Sequence, residues 1–554
     1  MLSADGNFVI SFNGELYNFA QLRNELEALG VRFRSTGDTE VVLYALILWG
    51  VEALGRFNGM FALAFYNIEE RSLILARDHA GIKPLYYLQH KHGIAYASQF
   101  DQILSHPWSR ESKVAYQSLS LYLHMAFIPA PFTILENCAL LEPGSWVKFE
   151  STGNVAHGKY FEFPIYEPAT LRGEEATEAL DAALSNAVER QLVSDVPVAA
   201  FLSGGIDSPL VLSKMLQTGN GPFRAFTIGT EDVASDEANI AVNYARQLDV
   251  QHTVQRIAEA DALGMLSEVV KASSEPFGDY SIFPTMLVSR LAASEFKVIL
   301  SGDGGDELLW GYVQRMAEAI QLAPSFTVSP KCRQIQWSVR RLLGKHRAHH
   351  HLRFTTPGQW HAFKHLLLRG NHLARIFPDL PPWPEDYKRF DYSPYDANET
   401  RTAQWIRWNE FTTHLTKVLL KVDRASMHES LEVRVPILDR EVVQTAQQID
   451  WQSCLDIEDG IGKLPLRKML SKSVNHQSTA KRGFEVPMGA WLRGSLRELV
   501  HDVVLSQDEF LGMPVNRKRM NALFAQHESG QINMAQGLWP IVSLALWERE
   551  HFNR

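Results

Sequence analysis

The sequence predicts an α/β protein with two unlike halves. Three observations carry that reading. Strand and helix patterns alternate from about residue 175 onward. Short β-rich runs follow one another over residues 1–150 with few helices between them. Two Gly-rich turns stand directly behind apolar strands of the second half, in "FLSGGIDSPLVLS" from Phe201 and "KVILSGDGGDELLWGY" from Lys297.

In the first half, "NFVISF", "MFALAFYN", "SLILARD", "PLYYL" and "IAYASQF" are rich in β-branched and aromatic residues and are separated by turn signals. "NFAQLRNELEALG" breaks the series: Phe19, Leu22, Leu26 and Leu29 recur at helical spacing, and Gly30 stops it. A second helix is predicted over about 40–50. Strands in series with two helices suggest an α+β or layered β domain over 1–150. "FIPAPFTILENCALLEPGSWVKF" carries three prolines. It reads, with the chain to about 170, as a small hairpin and a linker, the linker being set at 151–174.

The second domain is set at 175–554. A helix over 174–192 precedes the strand "VPVAAFL", a helix, the strand "FRAFTIG", a helix from about 236, the strand "QHTVQRI", more helix and the strand "KVILSG". This alternation means a doubly wound parallel sheet covered on both faces. Ligands of such sheets bind beyond the carboxyl ends of the strands. After about 310 the pattern is mostly helical. The His-rich "KHRAHHHLRF" (345–354) reads as a solvated loop rather than a metal site.

Composition excludes several classes. The 554 residues suggest at least two domains, and 45% hydrophobic with 21% charged residues is ordinary globular usage. A net charge of -9 argues against a nucleic-acid partner. The longest apolar run, "VVLYALILWGV" from Val41, is too short to span a bilayer, so no membrane partner is expected. The opening "MLSADGNFV" lacks a signal-peptide pattern. Three scattered cysteines, Cys138, Cys332 and Cys454, indicate no disulfide framework and fit a cytoplasmic location.

Ser203, Gly204, Gly205, Ile206, Asp207 and Ser208 lie between a strand and a helix. The glycines let backbone N–H groups approach a ligand, and the new helix offers unpaired N–H groups with a partial positive end. Such a turn binds phosphate. An acid beside it makes sense if Mg²⁺ bridges the two. The plain alternative is a tight turn with no ligand. No G-x-x-x-x-G-K-[ST] is present. The block resembles the SGGxDS loop of the ATP-pyrophosphatase (PP-loop) superfamily, which cleaves ATP between the α and β phosphates.

The second turn sets Ser301, Gly302, Asp303, Gly304, Gly305, Asp306 and Glu307 together, and three acids within five residues call for a cation. A third block, "LLKVDRASMHESLEVRVPILD" (419–439), reads as a helix carrying Lys421, Asp423, Arg424, Glu432 and Arg434. A fourth, "AKRGFEVPMGAWL", joins Lys481 and Arg482 to Gly483. With "SSEPFGDYSIFPTMLVSRL", these resemble the synthetase domain of the glutamine-hydrolysing asparagine synthetases. "FNGELYNF", "FRSTGDTEVVLYAL", "RFNGMFALAFYN" and "LARDHAGIKPLYY" resemble that family's N-terminal-nucleophile glutaminase domain.

The resemblance implies an αββα-type layered first domain and a PP-loop second domain. It implies that the β-carboxylate of aspartate attacks the α-phosphorus of ATP, and that ammonia then displaces AMP from β-aspartyl-AMP. Ser203, Gly204, Gly205, Asp207 and Ser208 would hold phosphates and Mg²⁺. Leu202, Ile228, Ser301 and Gly302 would contact the nucleotide. Asp306 would join Asp207 on the metal. Asp303 would act on the acyl-adenylate, and Lys481 would offset phosphate charge. Asn13 and Gly14 match an oxyanion hole, and Glu15 and Asp38 match glutamine-binding positions. The family's catalytic cysteine and opening strand fall upstream of Met1. Either the sequence starts at an internal methionine of a longer product or the chain is short; for the chain as written the expectations are use of ammonia rather than glutamine, and an unpaired edge on the first sheet. Expected partners are aspartate, ATP, ammonia or glutamine, and a second copy in a homodimer. Two rival readings are an amide- or lactam-forming relative acting on another carboxylate, and a non-catalytic ATP-binding protein.

Overall fold

Residues 59–67 are apolar almost without a break because both faces of their strand are covered. The computed structural model describes residues 1–230, 237–344, 347–369, 371–392, 398–476 and 486–552. In it β2 (Gly59–Asn67) runs antiparallel between β1 (Phe8–Leu16) and β3 (Ser72–Arg77). Phe61, Leu63 and Phe65 face α1 (Phe19–Ala28) and α2 (Asp38–Trp49), against Leu22, Leu26, Val41 and Val42. Ala62 and Ala64 face the other way, against Leu85 and Tyr87 of a second sheet. Small residues on that side let the two sheets stack closely.

The first sheet has the order β1-β2-β3-β7-β8, with β7 at Ser145–Phe149 and β8 at Val155–Lys159. The second joins β5 (Gly93–Ala97), β4 (Tyr86–His90) and β6 (Cys138–Leu140). Its far side is covered by α3 (Tyr116–Met125), through Leu119 and Tyr122, and by the second domain. The proline-rich stretch thus places β6 and β7 in different sheets, and β8 lies within the span read as linker. β1 forms an edge, along which the first residues fold back: the amide of Ile10 donates to the carbonyl of Met1 at 2.9 Å, and Leu2 bridges Val9.

After α4 (Gly173–Gln191) comes a five-stranded parallel sheet ordered β11-β10-β9-β12-β13. Its strands are β9 (Val198–Phe201), β10 (Arg224–Thr230), β11 (Gln251–Ile257), β12 (Val298–Leu300) and β13 (Glu432–Arg434). The chain starts in the middle at β9, moves outward to β11, then crosses to β12 on the opposite side. The crevice between the carboxyl ends of β9 and β12 is the switch point of a doubly wound sheet. Helices α5 (Asp207–Gln217), α6 (Ala238–Gln247) and α7 (Ile282–Ala293) connect the strands.

Between β12 and β13 lies a helical excursion that includes α8 (Pro357–His365), α9 (Glu399–Asn409) and α10 (Leu415–His428). The single helix expected over 419–439 is corrected here. α10 stops at His428, Ser430 turns the chain at φ 56°, and Glu432–Arg434 joins the sheet as β13. The alternation in Leu-Glu-Val-Arg-Val is a strand signal that the charged residues had masked. The solvated loop expected over 345–354 is also corrected in part. His351 is buried, and the buried Arg333 guanidinium donates to the carbonyls of His351 (3.0 Å) and Phe354. Among the described residues no helix is long and apolar enough to cross a membrane.

Candidate active site

β9 ends at Phe201 and α5 begins at Asp207, so the SGGIDS turn spans the carboxyl edge of the sheet. Its two serines hold it closed. The amide of Ser203 donates to Ser208 Oγ at 2.9 Å, the two hydroxyls lie 2.9 Å apart, and the amide of Gly205 donates to Ser203 Oγ at 3.2 Å. Leu202 is pinned by neighbouring β10: its amide donates to the Phe226 carbonyl at 2.9 Å, and its own carbonyl accepts from Thr227 Oγ1. Ile228, one residue further along β10, is buried.

The second turn packs directly on the first. A side chain at Gly302 would overlap the backbone of Asp207 and Ser208, and one at Gly305 would press on the Asp207 carboxylate. Glycine is required there by contact between turns. Gly304 is required by conformation, with φ 96°. Asp303 accepts a hydrogen bond from Ser301 Oγ at 2.8 Å. The Ser301 amide donates to the Arg434 carbonyl, which ties the turn to β13.

The buried Asp207 and Asp306 converge on one cation. Lys463 Nζ lies 2.5 Å from Asp207 Oδ2 and 2.7 Å from Asp306 Oδ1, and its side chain is 7% exposed. Lys463 sits in the left-handed region at φ 56°, immediately before α11 (Leu464–Leu470). That conformation is uncommon outside glycine and is found where a site over-determines it. A side chain at Gly311 would strike both Asp306 and the lysine stem. Arg467, one turn into α11, is close enough to interact with both acids. Next in chain, burial pushes Glu307 up to about 7, with Asp306 adding to the rise, and it accepts a hydrogen bond from Tyr312 at 2.7 Å.

Sequence reasoning missed Lys463. The signal was legible: "GIGKLPLR" is a lysine on a Gly-rich turn just ahead of a proline-led helix, the same punctuation as the two turns it faces. The lysine chosen instead, Lys481, lies outside the described residues. A carboxylate pair that already holds one cation is a chemically fitting seat for Mg²⁺.

The first domain holds the other expected residues at the end of β1. Asn13 and Ser11 line a cavity of about 390 Å³ between the two sheets, together with Tyr96, Gln99 and Gln102. Gly14 is dictated by contact, since a Cβ would overlap the Met60 carbonyl. Glu15 is pushed up to about 7 by burial and by Glu432, while Arg434, 3.7 Å away, pulls the other way. Asp38 is raised by burial and accepts from the Leu16 amide at 2.8 Å. Asn13, Gly14, Glu15 and Asp38 are thus gathered at one end of β1, and β13 of the second domain borders them.

A layered sheet domain joined to a parallel sheet whose two facing Gly-rich turns gather acids and a lysine has the architecture of an amide-forming C–N ligase. The profile described as "Asparagine synthase" matches residues 179–549, and that described as "Glutamine amidotransferase domain" matches residues 1–161. The chain belongs to the asparagine synthase family, whose members make asparagine with ATP. It is 27% identical over 98% of its length to asparagine synthetase [glutamine-hydrolyzing] 1 of Bacillus subtilis, of which it covers 85%. It is 27% identical over 84% of its length to asparagine synthetase [glutamine-hydrolyzing] 3 of the same organism, of which it covers 72%.

Proposed function

We propose that the chain adenylylates the β-carboxylate of aspartate and transfers ammonia to it, releasing pyrophosphate and AMP. The observation that carries this reading is Lys463 set between Asp207 and Asp306 beneath the SGGIDS turn. A carboxylate oxygen attacks the α-phosphorus, and the bond to the β-phosphate oxygen breaks. Ammonia then attacks the acyl carbon, the carbon–oxygen bond to AMP breaks, and the extra protons pass to solvent. Both steps rest on positioning and on neutralising phosphate charge.

The backbone N–H of Gly204 and the hydroxyls of Ser203 and Ser208 hold the phosphates, and Gly205, whose N–H bonds Ser203 Oγ, shapes the turn around them. Leu202, Ile228, Ser301 and Gly302 border the nucleotide. Asp207 and Asp306 hold Mg²⁺, which when bound supplies charge neutralisation for the triphosphate. Lys463 balances charge on the phosphate undergoing transfer. Asp303, fixed by Ser301, faces the acyl-adenylate.

For the nitrogen source, the reading for this polypeptide is ammonia. Its thiols support that reading. Cys138, the thiol of the first domain, is pushed up to about 12 by burial, which leaves it protonated and unreactive. Three unpaired cysteines fit a cytoplasmic location.

The test is pyrophosphate release by the purified chain with Mg-ATP and aspartate, with ammonium and with glutamine in parallel. Turnover with ammonium alone supports the whole reading. Turnover with glutamine overturns the nitrogen assignment. Release with neither, while another carboxylic acid supports it, overturns the assignment of aspartate.

A further inference from the structure

His361 and His365 stand four residues apart on α8, which places both rings on one face of that helix. Glu410 opens a π-helical turn (Glu410–His414) between α9 and α10, and that turn aims its carboxylate at the two rings. π-turns of this kind recur at functional sites. His361 and Glu410 are fully buried, and the His365 side chain is 6% exposed. His361 follows the His-rich stretch closely in sequence, and Glu410 comes from a separate element.

Three atoms meet at one point. His361 Nε2 and His365 Nε2 are 3.2 Å apart, and Glu410 Oε1 is 3.3 Å from the first and 3.2 Å from the second. An ion bound tetrahedrally at zinc–nitrogen and zinc–oxygen lengths of about 2.0–2.1 Å keeps its ligand atoms about 3.3 Å from one another. The three atoms therefore form one face of a zinc tetrahedron. We propose that His361, His365 and Glu410 bind a zinc-type divalent transition ion inside the helical excursion.

The plain alternative is a set of hydrogen bonds among the two rings and the carboxylate, all within 3.3 Å of one another. Glu410 Oε1 has no hydrogen bond of ordinary geometry, although it is fully buried between two rings. Its partner oxygen is satisfied separately, since Arg315 Nη2 donates to Oε2 at 2.6 Å. One carboxylate oxygen thus serves the guanidinium and the other is free for an ion. Arg315, paired with Glu410 Oε2, repels a cation and so lowers the affinity of the site. Two imidazoles and a carboxylate are a donor set suited to zinc.

The ion would clip α8 to the π-turn. From there the structure continues toward the nucleotide turn: His414 packs edge-on against Tyr312 at 4.9 Å, and Tyr312 holds Glu307. The inference stands on this cluster alone and does not depend on which carboxylate the enzyme uses.

The test begins with metal content. The full chain, purified without chelator, should carry one zinc per chain through gel filtration. After chelation and reconstitution with Co²⁺, it should give the intense visible bands of four-coordinate cobalt. H361A and H365Q should each weaken Zn²⁺ binding by roughly 100-fold or more. H428A, in the second acidic–histidine cluster with Glu268 and Glu429, should leave content unchanged. The cobalt spectrum of the parent chain needs no variant, so a variant that fails to fold does not blunt the test. Substoichiometric zinc in the parent chain, even after refolding with Zn²⁺, would overturn the proposal, as would full metal content in folded H365Q.

Discussion

Lys83 of the first domain and Asp423 of the second form an ion pair at 3.0 Å, and each side chain is only 4% exposed. The pair crosses the interface from the turn before β4 to α10. Around it His79 bonds the Leu438 carbonyl, Arg424 donates to Tyr86, and Asn58 and Arg190 both donate to Asp439. Removing one member of such a pair leaves a buried charge uncompensated. K83A is expected to lower unfolding stability by about 3–5 kcal/mol, read from urea denaturation. The double change K83M/D423L should recover most of that loss. A K83A chain as stable as the parent would mean the interface does not depend on this pair.

Lys463 gives a test of the chemistry. K463A should cut the rate of aspartate-dependent pyrophosphate release by about 10²–10³, the usual consequence of removing one charge-stabilising group. The aspartate KM should change little. K463R keeps the charge but not the compact ammonium between two carboxylates, and should rescue only in part. A K463A rate within tenfold of the parent would remove this residue from the reaction.

Gly311 gives a steric test of the same site. A methyl group there meets the Asp306 carboxylate and the Lys463 stem. G311A should destabilise the chain by roughly 1–3 kcal/mol through overpacking and abolish most pyrophosphate release. Normal turnover in G311A would mean that the Lys463–Asp306 contact can shift without penalty.

Glu275 sets a pH dependence. Burial pushes it up to about 7, against the pull of Arg424 3.6 Å away. A carboxyl whose folded value exceeds its unfolded value of about 4.3 binds its proton more tightly when folded. Stability from this group is fully present below the unfolded value and is lost as pH rises through 7. Tm should therefore fall between about pH 4.5 and 7, and E275Q should flatten that slope. An identical slope in E275Q would assign the effect to other groups.

Much of the fold was legible because its signals are local. Gln251–Ile257 matches the expected strand residue for residue, and Gly173–Gln191 lies one residue from the expected helix. Both Gly-rich turns were legible because each follows an apolar run and precedes a helix. What was hidden depends on contacts distant in sequence. β13 is three residues long and becomes a strand by pairing with β12, more than a hundred residues earlier. β6 and β7 look like one hairpin until their partners, β4 and β3, are known. Lys463 escaped for the same reason: it meets Asp207 across a sequence separation of 256. The metal-ligand triangle draws Glu410 from a turn that no spacing rule connects to His361.

The neighbours β12 and β13 impose an order on biosynthesis. The amide of Ser301 bonds the Arg434 carbonyl, so the turn after β12 lacks that acceptor until the far side of the helical excursion exists. A nascent chain that has emerged only as far as Leu300 has four of the five parallel strands and a bare flank on the last. Lys463 follows later still. The crevice between β9 and β12 is therefore completed near the end of translation, and a ribosome stalled within the excursion holds a sheet whose exposed flank invites pairing with another chain.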